Sequence, residues 1–199
     1  MADLTKAIEA ASQAINIEIA ALETFAKTLE VNLKPALEIL IEAKGHVVVS
    51  GLGKSGLVGA KIAATLASTG TPAFFMHSGD ALHGDSGALT AGDVLIAISN
   101  SGETAEVCAI ANMAKSWGNK VIAITNGAQS TLAKSADAVI NIAFEKEADP
   151  LNLAPTTSTT LTIAAGDAIA SALMQYRGFS AKDFGKNHPG GTLGKATNK

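Results

Sequence analysis

The fold of this chain is organised around the stretch Val94-Leu95-Ile96-Ala97-Ile98-Ser99-Asn100-Ser101-Gly102-Glu103-Thr104. Its first five residues are apolar without polar alternation, which predicts a strand that is buried on both faces. Apolar residues then recur three and four positions apart from Val107 to Trp117, which predicts a helix packed on the sheet. Residues 99–104 between them offer hydroxyls, a glycine and the unpaired N–H groups of a helix N-terminus. We interpret this loop, called the cradle below, as a phosphate site; the alternative is that its hydroxyls only cap the helix.

Composition narrows the class of protein. The 199 residues are 47% hydrophobic and only 4% aromatic, which suits one domain with an aliphatic core. Fifteen Lys and Arg against 18 Asp and Glu give a net charge of -3, which offers no support for nucleic acid or a membrane as partner. The single cysteine, Cys108, excludes an intrachain disulfide, and we interpret it as a packing residue. With no signal peptide or membrane-spanning run, we expect a soluble, cytoplasmic protein.

Five apolar runs predict strands, and they lie at residues 46–50, 73–76, 94–98, 120–124 and 138–142. Their starts are about twenty-five residues apart, and a helix fits into each crossover, so we expect right-handed βαβ units. The resulting fold class is α/β, a three-layer αβα sandwich around a five-stranded parallel sheet.

Two amphipathic helices are expected ahead of the first strand, at about residues 3–30 and 34–43. Pro35 then falls in the first turn of the second helix, where proline is tolerated. We expect these helices, within a segment 1–44, to pack on the sheet or on a neighbouring subunit. The α/β domain then covers residues 45–180, and a polar, glycine-bearing tail covers 181–199.

Ligands of parallel sheets bind at the carboxyl ends of the strands, and every polar motif of this chain falls there or in the tail. Gly51-x-Gly53-x-x-Gly56 matches the dinucleotide fingerprint, but the acidic residue expected at the end of the second strand is replaced by Met76-His77. Val48 stands where a nucleotide triphosphate loop needs its first glycine. A sugar phosphate is therefore favoured over a nucleotide.

Six separated motifs together resemble the sugar isomerase (SIS) domain and, more closely, the D-arabinose-5-phosphate isomerases. They are Gly53-Lys54-Ser55-Gly56, Ser68-Thr69-Gly70-Thr71-Pro72, His83-Gly84-Asp85, Ile98-Ser99-Asn100-Ser101-Gly102-Glu103, Leu153-Ala154-Pro155-Thr156 and His188-Pro189-Gly190-Gly191. The resemblance covers about residues 45–195. Many members carry two regulatory (CBS) repeats after the SIS domain, whereas this chain stops at Lys199 and is similar to the short form.

The resemblance implies interconversion of D-ribulose 5-phosphate and D-arabinose 5-phosphate through a cis-enediol, for synthesis of the Kdo sugar of lipopolysaccharide or capsule. It implies catalytic roles for Lys54, Glu106, Glu147 and His188. We favour Glu147 as the base and Glu106 as the assisting acid or base, with the reverse assignment left open. His188 is expected to shuttle protons at the sugar oxygens, from a tail that folds over its own site or that of a neighbouring subunit.

The substrate-binding candidates are Ser50, Ser55, Gly70, Thr71, His83, Ser99, Asn100, Ser101, Gly102, Thr104 and Thr156. No cofactor is required, because enediol chemistry proceeds with acid and base groups. The resemblance makes His77 a position where a non-catalytic zinc ion binds. We expect a homotetramer with active sites at subunit interfaces.

Two other hypotheses stay open. One is a different SIS isomerase, acting on a heptose or hexulose phosphate. The other is a non-catalytic module that binds a sugar phosphate and regulates a partner; such a module would keep the cradle but could dispense with Glu147 and His188.

Overall fold

The computed structural model describes residues 3–190, so residues 1–2 and the end of the predicted tail, 191–199, lie outside the described residues. The strands are β1 Val47–Gly51, β2 Ala73–His77, β3 Val94–Ile98, β4 Lys120–Thr125 and β5 Ala138–Asn141. They form one parallel sheet in the order β2-β1-β3-β4-β5. The predicted five-stranded parallel sheet is confirmed, and each strand end lies within one residue of the predicted position.

The helices lie on both faces of this sheet. They are α1 Leu4–Lys27, α2 Leu29–Glu42, α3 Gly53–Ser68, α4 Ser78–Ala81, α5 Ala105–Ser116, α6 Thr131–Ser135, α7 Thr157–Arg177 and α8 Ala181–Asn187. Alternate strand residues face two separate cores: Val47 and Val49 pack with α1, α2, α3 and α7, and Val48 packs with α5 and Cys108. This is the predicted αβα sandwich. In the part of the chain described, no helix combines the length and apolarity needed to cross a membrane.

The second helix begins earlier than predicted. It starts at Leu29 rather than near Lys34, and Pro35 therefore lies inside the helix instead of in its first turn. Proline inside a helix removes one backbone hydrogen bond and costs about 3 kcal/mol. Burial of Leu33 and Leu40 on the same face of α2 offsets that cost, which a local proline rule does not anticipate.

Helices α3 and α7 run side by side in the same direction. Lys61 of α3 forms an ion pair with Asp167 of α7. A Cβ at Gly166 would lie 2.4 Å from Cγ1 of Ile62, so only glycine permits this close approach of the two helices. α3 and α5 directly follow β1 and β3, and α7 runs alongside α3. The N-termini of all three helices therefore lie at the edge of the sheet where the strands end, called the carboxyl edge below.

Candidate active site

Most of the predicted site residues lie at the carboxyl edge. They belong to the ends of four strands and the segments after them: Ser50, Lys54 and Ser55 at β1, His77 and His83 at β2, the cradle and Glu106 at β3, and Glu147 and Thr156 after β5. Lys54 is exposed on the first turn of α3, and Glu106 is half-buried on the first turn of α5. The topology therefore gathers a cation, two carboxylates and the cradle at one edge.

The cradle is a closed loop whose hydroxyl groups bond to one another. Ser99 Oγ lies 2.9 Å from Thr104 Oγ1 and accepts a hydrogen bond from the Gly102 N–H at 3.1 Å. Thr104 precedes α5, yet within the described residues its side chain makes no capping bond to the helix. The first N–H groups of α5 are thus not taken by Thr104, which favours the phosphate-site interpretation over simple capping.

Gly102 is the residue that lets the cradle turn. Its φ of +69° lies in the left-handed region, and a Cβ there would come 1.9 Å from Ser130 Oγ. Both the backbone conformation and the packing against the β4–α6 connection therefore require glycine. Within residues 3–190, this is the tightest approach to an added Cβ in the chain.

Glu147 is a buried carboxylate that caps α7. Its Oε2 accepts hydrogen bonds from Thr156 N at 2.9 Å, Thr156 Oγ1 at 3.2 Å and Ser158 N at 3.1 Å. The peptide N–H of Glu147 donates to Asn152 Oδ1 at 2.7 Å, and Asn152 has a φ of +55°. Glu147 therefore anchors the acidic run 145–149 to the start of α7, and this cap on α7 is what the sequence analysis did not anticipate.

Asp149 is a residue that the sequence analysis missed. Its carboxylate accepts from the backbone N–H groups of Leu151, Leu153 and Ala154 at 2.9, 2.8 and 2.8 Å. Desolvation acts to raise the pKa of Asp149, but these three bonds outweigh it and hold the pKa below its usual value. Asp149 thereby fixes the loop between Glu147 and the start of α7. An aspartate directly before a proline was the available signal, because Asp at a turn accepts from backbone N–H groups further along the chain.

Ser50 is occupied by a neighbour rather than open to a ligand. Its Oγ lies 2.8 Å from Ser78 Oγ, and both residues are fully buried. Ser78 begins the short helix α4, an element that was not among the predicted helices. His83, two residues beyond α4, is exposed at the same edge.

The residues around His77 do not fit a metal site. Nδ1 of His77 lies 3.5 Å from Asp80 Oδ2, beyond a good hydrogen bond. No group of three or more His, Cys, Asp or Glu side chains able to hold a metal ion occurs between residues 3 and 190. A zinc ion at His77 would therefore find at most two ligands in the described part of this chain, fewer than zinc sites use.

Gly70 and Thr71 lie at the opposite edge of the sheet, because they precede β2. Thr71 is buried, and its hydroxyl oxygen accepts a hydrogen bond from Arg177 Nη1 at 2.9 Å. Gly70 has a φ of +91°, and a Cβ there would lie 2.5 Å from Cδ2 of Phe179. Within one chain both residues pack against the end of α7 and stand apart from the cradle.

His188 lies at this same far edge. Its ring stacks on Phe184 with centroids 3.9 Å apart, and its Nδ1 is 2.9 Å from the Phe184 carbonyl oxygen. Asn187 Nδ2 donates to the carbonyl oxygen of Ser68, the last residue of α3, at 3.2 Å. Lys54 on the first turn of α3 is about 21 Å from Ser68 along the helix axis, at 1.5 Å per residue. One chain therefore does not bring His188 together with Lys54.

The chain is similar to known proteins in both sequence and structure. The SIS domain family matches residues 39–172. Arabinose 5-phosphate isomerase KpsF of Escherichia coli O6:H1 is 51% identical over 189 residues, which are 94% of this chain and 58% of that protein. Arabinose 5-phosphate isomerase KdsD of Pseudomonas aeruginosa is 48% identical over 188 residues, again 94% of this chain and 58% of that protein. The chain thus spans less than two thirds of the length of these curated relatives.

A solved structure supports the same kinship. The structure of E. coli CFT073 c3406 in complex with arabinose 5-phosphate superposes with a TM-score of 0.90 at 41% identity. The match covers 94% of this chain and all of that one.

Proposed function

The chain belongs to the SIS domain family, and we propose that it is an aldose–ketose isomerase that interconverts D-ribulose 5-phosphate and D-arabinose 5-phosphate. One observation carries the proposal: the cradle, with its donor groups, shares the carboxyl edge with Lys54, Glu106 and Glu147. The relatives named for this activity, at about half identity, support it further. The cradle would hold the phosphate of the sugar, and the charged side chains would act on its carbonyl end.

The chemistry is a proton transfer between neighbouring carbons. A base takes a proton from C1 of the ketose, its electron pair moves to form the cis-enediol as the C2 oxygen gains a proton, and a proton is then returned to C2 while the O1 proton is released. We assign the transfer of the carbon-bound proton to Glu147. Since Oε2 is the Glu147 oxygen that caps α7, the second oxygen, Oε1, is the one that we expect to carry the proton.

Lys54 and Glu106 complete the proposed machinery within one chain. The ammonium group of Lys54 would stabilise negative charge that develops on the sugar oxygens. Glu106 would act as the assisting acid or base on those oxygens. No cofactor enters this scheme, because each step is a proton transfer between the sugar and a side chain.

We propose that the remaining site residues come from a second subunit. His188 and Gly70 share the far edge of the sheet, so a neighbouring copy would present them, with the tail 181–199, to this chain's cradle. Thr71, which is buried and bonded to Arg177, would support that edge from within. Exposed apolar side chains support association. Four of them lie along α1: Leu4, Ile8, Ile15 and Ile19. We propose a cytoplasmic homotetramer that supplies the precursor of the Kdo sugar of lipopolysaccharide or capsule.

Isotope exchange tests the activity directly. The purified chain is incubated with ribulose 5-phosphate in deuterated water and followed by NMR. We expect arabinose 5-phosphate with deuterium at C2, because the enediol is reprotonated from groups that exchange with solvent. Glu145→Gln, an exposed carboxylate two residues from Glu147, is the matched control and should retain turnover. Turnover of a heptose or hexulose phosphate but not of ribulose 5-phosphate would replace the proposed substrate. A chain that turns over none of the three sugars would contradict the proposed isomerase activity.

A further inference from the structure

Two carbonyl oxygens of the cradle are engaged by the segment that connects β4 to α6. The carbonyl oxygen of Asn100 accepts from the Asn126 N–H at 3.0 Å, and that of Gly102 accepts from the Leu132 N–H at 3.0 Å. An anion binds to donors and is repelled by acceptors. The neighbouring segment therefore holds these two acceptors on its own side of the loop.

Glu103 is the acceptor that matters most, because it is a full negative charge inside an anion-binding loop. Its Oε1 accepts from the Thr131 N–H at 2.9 Å and its Oε2 accepts from the Thr131 hydroxyl at 2.7 Å. These two bonds hold the pKa of Glu103 below its usual value. The carboxylate is thus charged at neutral pH and is turned onto the first residue of α6.

We infer that the contact between Glu103 and Thr131 positions the cradle for its anion, by holding the loop's own carboxylate away from the bound phosphate. Without the two Thr131 donors, Glu103 is free to swing towards the phosphate and repel it through water. Thr131 is thus a positioning residue that acts through Glu103. It lies on α6, outside the motifs that carry the resemblance. The inference rests on the cradle's phosphate-binding part in the proposed function.

The structure offers a variant that removes both donors at once. Thr131 is the first residue of α6, and the preceding Ser130 is extended, with φ -68° and ψ 167°. Proline is tolerated at the first helical position and requires an extended residue before it. Thr131→Pro therefore deletes the N–H and the hydroxyl without forcing a new backbone conformation. Thr131→Val, which deletes only the hydroxyl, provides a milder second variant should the proline variant fold poorly.

The probe is inorganic phosphate, with its Kd measured by calorimetry. We expect Thr131→Pro to raise this Kd at least about threefold, because that is the scale of the repulsion in water between phosphate and one nearby carboxylate. Thr131→Val should raise the Kd less. Glu103→Gln should not raise the Kd above the wild-type value, because the amide carries no charge to repel phosphate and can still accept from the N–H and donate to the hydroxyl. In the Glu103→Gln background, Thr131→Pro should raise the Kd by less than half as much, since no charge is released. Ser135→Ala, on α6 without a bond to the cradle, is the matched control.

Three results would overturn the inference. These are an unchanged phosphate Kd in both Thr131 variants, an equal loss in the presence and absence of the Glu103 charge, and a wild-type chain that does not bind phosphate. An equal loss would mean that Thr131 only supports the local fold. Because the readout is binding, a chain that shows the expected pattern but does not isomerise ribulose 5-phosphate would support this inference and reject the proposed activity. With an active chain, Thr131→Pro should raise KM and leave kcat close to the wild-type value.

Discussion

Replacing Glu147 by two different residues separates its two roles. In Glu147→Gln the amide oxygen can take the place of Oε2 and still accept from the N–H groups of Thr156 and Ser158. The amide has no basic oxygen to take a proton from carbon. In Glu147→Ala the cap and the base are both lost. Comparing the variants therefore distinguishes a fold that is merely uncapped from a site that lacks its base.

The expected magnitudes follow from these contacts. Alanine leaves the N–H groups of Thr156 and Ser158 without their acceptor in a buried place, which costs about 1–3 kcal/mol. For a chain of this size each kcal/mol lowers Tm by about 2–4 °C, so a loss of about 2 kcal/mol lowers Tm by about 4–8 °C. Glutamine keeps neutral hydrogen bonds of about half the strength, so we expect about half that shift. Both variants should lose at least about 10²-fold in kcat.

Thermal unfolding followed by circular dichroism gives Tm, and initial rates with ribulose 5-phosphate give kcat. Glu145→Gln serves as the control for both. A Glu147→Gln variant that keeps more than about half of wild-type turnover would refute Glu147 as the base, and Glu106 would then take that role. A Glu147→Ala variant with unchanged Tm would refute the capping argument.

Three further changes test the cradle and the acid stability of the fold. Ser101→Ala should weaken inorganic phosphate and ribulose 5-phosphate together, because both would use the same donor; unchanged phosphate binding in calorimetry contradicts this placement. Gly102→Ala should abolish phosphate binding and lower the free energy of unfolding by more than about 1 kcal/mol, since its φ is +69° and the space for a Cβ is filled; urea titration checks the loss. Desolvation acts to raise the pKa of Asp93, but bonds from Thr90 and His46 hold it below its usual value. Its stabilisation is therefore present above about pH 4 and is lost as pH falls through the lowered pKa, so Asp93→Asn should flatten the pH dependence of unfolding below about pH 4.

Strands and helices were predictable where burial alone decides them. Val94–Ile98 is apolar at every position and is buried at every position, because both faces of a parallel sheet are covered. α2 shows where the local rule fails. Pro35 argued for a helix that begins next to it, whereas tertiary burial of Leu33 and Leu40 extends the helix in front of the proline. Local patterns cannot weigh a contact that forms only after the chain has folded.

The candidate site was predictable as a set of motifs but not as an arrangement. The rule that ligands sit at the carboxyl edge correctly groups the segments that follow β1, β2, β3 and β5. That rule does not reveal that Glu147 caps α7, since Thr156 lies nine positions further along the chain. Nor does it place His188, whose position depends on the lengths of α3 and α7. The catalytic and binding roles of these residues stay predictions.

The proposed binding of an anion by this acidic chain is compatible with electrostatics, because the net charge and the local hydrogen-bond donors act at different ranges. The net charge of -3 is spread over the whole surface, and charges farther away than about 8 Å are largely screened at physiological salt. A phosphate in the cradle would lie within hydrogen-bond distance of N–H and hydroxyl donors and next to the positive end of α5. Glu103 is a charge within the cradle itself, and the structure ties that carboxylate to Thr131. Local donors therefore decide the sign of the ligand, provided that this single carboxylate is held back.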